Sequence, residues 1–91
     1  MKNYEELKNF SVRLKSLRKR HKIKQSEIAN FLDCTENHYQ KIEYGQVNIH
    51  AITLMILADY FGVTTDYLLG RSDEGGPDAA KKPPEKPDGE I

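Results

Sequence analysis

Residues 34–46, CTENHYQKIEYGQ, consist almost wholly of side chains that donate or accept hydrogen bonds, with a helical apolar beat at Tyr39 and Ile42. With those two turned inward, Glu36, Asn37, Gln40, Lys41 and Tyr44 share an arc of about 140° on the other side of a helix. The arc mixes donors and acceptors instead of repeating one charge. Base edges in a DNA major groove present the same kind of mixture. An ordinary wet helix face is also polar, so the arc alone leaves both readings open. Upstream, residues 13–24, RLKSLRKRHKIK, hold seven Lys/Arg and no acid. Such a cluster attracts phosphates, although a solvated helix face has the same composition.

Other chemistry is poorly supplied. Cys34 and His38 are four residues apart and within reach of one metal ion, but two ligands without nearby partners make a poor zinc site. A small thiol filling the core beside a turn, with an exposed histidine, is the simpler reading. His21 and His50 have no nucleophile or paired carboxylate to serve, so neither catalysis nor a cofactor is expected. A single cysteine excludes an internal disulfide framework.

Ninety-one residues with an apolar fraction of 37% make one small domain, provided that part of the chain stays outside the core. From Ser72 onward the chain holds all four prolines, three of the six glycines and no aromatic residue. It buries too little to offset its ordering entropy. The expected organisation is therefore a domain over 1–71 and a disordered, acidic, Pro/Gly-rich tail over 72–91. The net charge of zero divides accordingly: residues 1–72 carry 11 Lys/Arg against 8 Asp/Glu, a net +3, and the remainder 3 against 6, a net −3. The longest aliphatic block is LMILA and no signal-peptide pattern occurs, so a cytoplasmic protein without a membrane segment is expected.

The elements that must position these residues are all helical. Leu7, Phe10, Leu14 and Leu17 share a narrow arc, giving a first helix from Asn3 or Asn9 to about His21. Arg18 projects close to that arc, and an unpaired buried guanidinium would cost roughly 3–5 kcal/mol, so it needs a partner. QSEIANFLD sets Ile28, Phe31 and Leu32 on one side, with Ala29 beside them, for a second helix. Thr35 is a good N-cap for a third, with Glu36 favourable in its first turn and Gly45 at its left-handed end. HAITLMILADYF predicts a fourth helix, with Ala51, Leu54, Met55, Leu57, Ala58 and Phe61 as a broad buried face ending at Gly62. Thr64 caps a fifth, with Val63 and Leu68 as a hydrophobic staple and Gly70 as its stop. Two short helices joined by a tight turn, the second starting at a capping Thr, form a helix-turn-helix, whose second helix is commonly laid in the major groove.

At this point residues 10–73 resemble a known family. LRKRHKIKQSEIA, KIEYG, LADYFGV and TDYLLGR resemble, at matching spacing, the lambda repressor and Cro-like (XRE-type) helix-turn-helix domain. The resemblance implies an all-α, five-helix DNA-binding domain. It implies that Gln25 contacts a phosphate and braces the first residue of the recognition helix, and that Arg18 pairs with Glu43. It implies base contacts from Glu36, Asn37 and Lys41, with Gln40 and His38 as contributors, Tyr44 and Gln46 approaching the backbone, and Thr35 counted among the DNA-binding residues. Lys15, Lys19, Lys22 and Lys24 would then serve phosphates. Four departures stand out: Lys24 where a Ser/Thr cap is usual, Asp33 where the turn usually has Gly, an acidic Glu36 near phosphates, and Ile52 and Ile56 at positions that are typically polar.

The expected function is a sequence-specific regulator, most simply a repressor, binding double-stranded DNA as a homodimer on a two-fold symmetric operator. Ile52, Ile56 and Tyr60 lie away from the core arc of the fourth helix and are the dimer candidates, unless the fifth helix or the N-terminal segment covers them. No second folded domain is expected. Regulation would then fall to protein concentration, a protein antagonist or proteolysis. An antitoxin whose tail masks a toxin, a restriction-modification controller, or a module that only binds protein are the other readings.

Overall fold

The apolar periodicities close into five helices, and the caps decide where each begins and ends. The structure, a computed structural model, describes residues 7–77. In chain order the helices are α1 (Lys8–Arg20), α2 (Gln25–Phe31), α3 (Glu36–Glu43), α4 (Ala51–Phe61) and α5 (Thr65–Leu69), with no strand among the described residues. The earlier of the two expected starts for the first helix, at Asn3, lies outside the described residues. Thr35 and Thr64 cap α3 and α5 as their hydroxyls accept from the backbone N–H of His38 and Tyr67, each at 3.0 Å. Lys24 has no oxygen to offer α2. There the Glu27 carboxylate reaches back and accepts from the Lys24 N–H at 2.8 Å, which is half of a capping box.

Between α2 and α3 the chain reverses over Leu32–Thr35. Asp33 takes the left-handed conformation, φ 61°, as the Cys34 N–H donates to the Ala29 carbonyl at 3.0 Å. After α3, Gly45 is left-handed at φ 70°, and a Cβ there would press on Leu7. These two turns fix the angle at which α3 stands against α2.

The core gathers Phe10, Leu14 and Leu17 of α1, Ile28 and Ala29 of α2, Tyr39 and Ile42 of α3, Leu57, Ala58 and Phe61 of α4, and Val63 and Leu68 at α5. α2 packs on α3, α1 on both α3 and α5, and α4 on α5. Two expectations need correction. On α4 only Leu57, Ala58 and Phe61 are buried, with Leu54 partly covered, whereas Ala51 and Met55 are exposed. The helix is apolar nearly all round, so its periodicity does not say which side turns inward. Phe31, the last residue of α2, also points outward and lays its ring against Tyr60 at 4.5 Å between centroids.

Packing also continues past the boundary expected at Ser72. Arg13 Nη1 donates to the carbonyls of Tyr67 and Ser72, each at 2.8 Å, and Nη2 to Asp73 Oδ1 at 2.6 Å, while the guanidinium lies 4.2 Å from the centroid of the Tyr67 ring. The Thr64 N–H donates to the Gly75 carbonyl at 3.0 Å and Gly76 is buried. Side chains at these two glycines would collide with Thr64 and the Tyr67 ring. Residues 72–77 therefore dock on α1 and α5 through backbone and one arginine, which an average over twenty residues conceals. The rest of the expected tail, 78–91, lies outside the described residues.

Asp33 holds a conformation that costs an L-residue about 1 kcal/mol more than glycine. Asp33→Gly should raise stability by up to about that amount, a rise of several degrees in the thermal midpoint of a domain this small. A midpoint equal to or below the parent's would show that the turn is unstrained.

Candidate nucleic-acid interface

Glu43, the last residue of α3, is completely buried. Its carboxylate accepts four hydrogen bonds: from Arg18 Nε to Oε1 at 2.7 Å and Nη2 to Oε2 at 3.0 Å, from the Tyr39 hydroxyl to Oε1 at 2.7 Å, and from Gln25 Nε2 to Oε2 at 3.2 Å. Arg18 Nη1 donates in addition to the Ile23 carbonyl at 3.0 Å. The Arg18–Glu43 pair thus ties α1, the α1–α2 loop, the start of α2 and both ends of the last turn of α3. Burial by itself pushes the Glu43 carboxyl up. The hydrogen bonds of Arg18, Tyr39 and Gln25 and the Arg18 charge outweigh that and hold it below the usual carboxylate range. Its hydrogen bond to Glu43 raises Arg18 further. Burial first, and the bond to Glu43 second, drive the Tyr39 hydroxyl well above its ordinary value, so it remains a donor.

With Tyr39 and Ile42 buried beneath it, α3 turns the rest of its surface outward. Glu36, Asn37, His38 and Lys41 are exposed, as are Tyr44 and Gln46 on either side of Gly45 and Thr35 at the cap. Gln40 is half-buried because its Nε2 donates to Gln25 Oε1 at 3.0 Å. Gln25 therefore reaches the fifth residue of α3 instead of the first, Glu36, which the family resemblance had implied.

The basic run divides. Arg18 serves Glu43 and Arg13 holds residues 72–73, so neither is a loose surface charge. Lys15, Lys19, Lys22 and Lys24 are exposed. Lys22 and Lys24 flank the start of α2, and Lys15 lies on the flank of α1 that carries Arg18. Lys19 projects almost opposite the buried Phe10–Leu14–Leu17 stripe. Lys22 is itself left-handed, φ 57°, at the end of α1.

Cys34 is half-buried against the core, and burial, followed by the Asp33 charge, raises its thiol and keeps it protonated. Ile52, Ile56 and Tyr60 are exposed, as are Met55 on the same helix and Phe31, whose ring lies against Tyr60. Sequence reasoning missed Arg13 as a clasp, the Tyr39 hydroxyl and Gln25 amide as donors to Glu43, the Gln25–Gln40 bond, and Phe31 and Met55 as surface residues. Only Arg13 carried a signal, because it lies on the opposite flank of α1 from Arg18 and at the core's edge.

Residues 14–68 match the helix-turn-helix family. Among curated proteins the chain is similar to the uncharacterized HTH-type transcriptional regulator YobD of Bacillus subtilis (strain 168), 32% identical over 73 residues, which is 80% of this chain and 65% of that protein. It is also similar to the SPbeta prophage-derived uncharacterized HTH-type transcriptional regulator YonR of the same organism, 38% identical over 60 residues, which is 66% of this chain and 56% of that protein. The chain thus spans less than two thirds of the length of either relative. No solved structure gives a significant match.

Removing one partner of the buried pair strands the other. Arg18→Met should destabilise the fold by roughly 3 kcal/mol in chemical denaturation. Adding Glu43→Leu should restore only part of this, since the Tyr39 hydroxyl then stays buried without its acceptor at a cost of about 1–3 kcal/mol. Adding Tyr39→Phe should restore more. A neutral Arg18→Met, or a double variant as stable as the parent, would contradict the four-donor description. Because the folded Glu43 value lies below the unfolded one of about 4.3, its contribution is complete above that pH and is lost as pH falls through the lowered value.

Proposed function

The chain belongs to the helix-turn-helix family of lambda repressor and Cro-like type, and from that premise we propose that it is a sequence-specific DNA-binding transcriptional regulator. The observation that carries this reading is the outward arc of α3: mixed donors and acceptors on a helix whose angle is set by a buried ion pair. Laid in a major groove, Asn37 offers a donor and an acceptor to adenine, Glu36 an acceptor to the amino group of cytosine, and Lys41 a donor to guanine or phosphate. Tyr44 and Gln46, beside Gly45, and Lys22 and Lys24 at the start of α2 then approach the DNA backbone, which fixes register without reading sequence.

The simplest output is repression by a dimer that occludes a promoter on a two-fold symmetric operator. The support for a dimer is the apolar surface of Phe31, Ile52, Met55, Ile56 and Tyr60, of which Ile52 is 70% and Met55 57% exposed. Exposed apolar groups gathered in this way mark contact surfaces.

Two measurements test these parts separately. Affinity for a selected operator and for scrambled DNA across a salt series should show Asn37→Ala losing roughly 1–3 kcal/mol on the operator alone. Lys22→Ala should weaken both DNAs alike and lower the salt slope by about one unit. Equal loss on both DNAs for Asn37→Ala would remove α3 as the reading helix. In sedimentation, Ile56→Glu should be folded and monomeric at concentrations where the parent is dimeric. A variant that dimerises as the parent does would remove α4 from the interface.

A further inference from the structure

The sequence holds three sulfur atoms, those of Cys34 and of the methionines Met1 and Met55. Oxidants take a cysteine as its thiolate, whereas a thioether loses no proton and only has to be reached. Cys34 is half-buried and its thiol stays protonated. Met55 is 57% exposed on α4, and Met1 lies outside the described residues. Met55 follows Ile52 by three residues, so its thioether stands beside that isoleucine in an outward stripe completed by Ile56 and Tyr60. None of these four is charged, and the only charged residue of α4, Asp59, falls in its last turn. A two-fold contact sets a surface against a copy of itself, where like charges near the centre repel. The outward stripe of α1, with Lys8, Lys15 and Lys19 around an exposed Val12, fails that condition, and the α4 stripe meets it.

We propose that Met55 is an oxidation site whose sulfoxide dismantles the α4 contact between two copies of this chain, so that peroxide or hypohalous acid releases the regulator from its operator. The inference rests on the dimer reading above and adds its regulation. With hydrogen peroxide, the thioether sulfur attacks one oxygen, an S–O bond forms as the O–O bond breaks, and the departing hydroxide takes the proton of the transferred oxygen to leave as water. Sulfur gives up two electrons, which thiol-dependent reductases return. The product carries a strong acceptor where the parent side chain is apolar. Ile52, Ile56 and Phe31 have no side-chain donor for it, and the Tyr60 hydroxyl stands about 140° farther round α4. Burying that oxygen without a donor opposes association, once for each protomer. Pairing covers Met55, so the oxidant acts on dissociated protomers and holds them apart by mass action.

The test treats the full chain with hydrogen peroxide, follows the oxygen added at Met55 by peptide mass, and reads the dimerisation constant by sedimentation. Once Met55 is oxidised, the parent should dimerise at least about tenfold more weakly, with an unchanged helical circular dichroism spectrum. Methionine sulfoxide reductases for both epimers, supplied with thiol, should restore the parent value. Met55→Leu keeps an apolar side chain of similar size without the sulfur. It should dimerise as the untreated parent does, before and after peroxide. Met55→Gln should dimerise weakly with no oxidant present, and Cys34→Ser should respond as the parent does, which excludes the thiol. Oxygen uptake at Met55 should be slower at protein concentrations above the dimerisation constant than below it, and operator affinity should fall in step with dimerisation. An oxidised parent that dimerises unchanged, or a treated Met55→Leu that loses as much as the parent, would overturn the proposal and leave the α4 dimer in place. A parent that is monomeric at every concentration would overturn both.

Discussion

A carboxylate without solvent exposure survives in this core because four donors converge on it. Taking Glu43 out of water costs several kcal/mol, and a single ion pair seldom recovers that cost in full. The position is doubly adverse, because an acid in the last turn also opposes the helix dipole. Two bonds from Arg18, one from Tyr39 and one from Gln25 offset both effects. The arrangement adds little to stability beyond what apolar residues of the same shape would give. What it supplies is uniqueness: rotating or sliding α3 by a residue would strand a buried charge, while an apolar contact would merely repack.

That constraint sets the geometry of everything α3 presents. Tyr39 lies one turn before Glu43 on the same face, so anchoring the hydroxyl and the carboxylate together anchors the last turn of the helix. The cap at Thr35 and the left-handed residues Asp33 and Gly45 hold its two ends. The outward arc from Glu36 to Tyr44 is then carried on a rigid element, which is what hydrogen-bond readout of base edges requires. The same carboxylate acts sideways through Gln25, so an interior charge and a surface amide share one network.

Much of this was legible in the sequence, for reasons that can be assigned. α3 and α5 each have an apolar stripe between a capping Thr and a left-handed Gly, so period and punctuation agree at Thr35, Gly45, Thr64 and Gly70, whereas α1 has the stripe without a side-chain cap. An inward guanidinium at Arg18 demanded an acid, and the structure sets Glu43 against it. α4 was legible as a helix but not in its facing, because Ile52, Met55 and Ile56 are as apolar as Leu57. Phe31 closes a short helix where one more residue of rotation decides between core and surface. Segment 72–77 was misjudged because its order depends on backbone carbonyls and Arg13, which composition does not weigh, and on glycines that composition counts as disorder. The Gln25–Gln40 bond spans two helices, and only their packing angle brings the amides together.

The proposed placement of α3, held by Glu43, in a major groove is open to direct chemical probing. Dimethyl sulfate footprinting of the full chain on the genomic fragments it retains is the most direct measurement, since the reagent methylates guanine N7 in the major groove and adenine N3 in the minor groove. Guanine N7 should be protected in two symmetric clusters about one helical turn apart, with adenine N3 still reactive. Protection confined to adenine N3, or none in either groove on bound fragments, would contradict it.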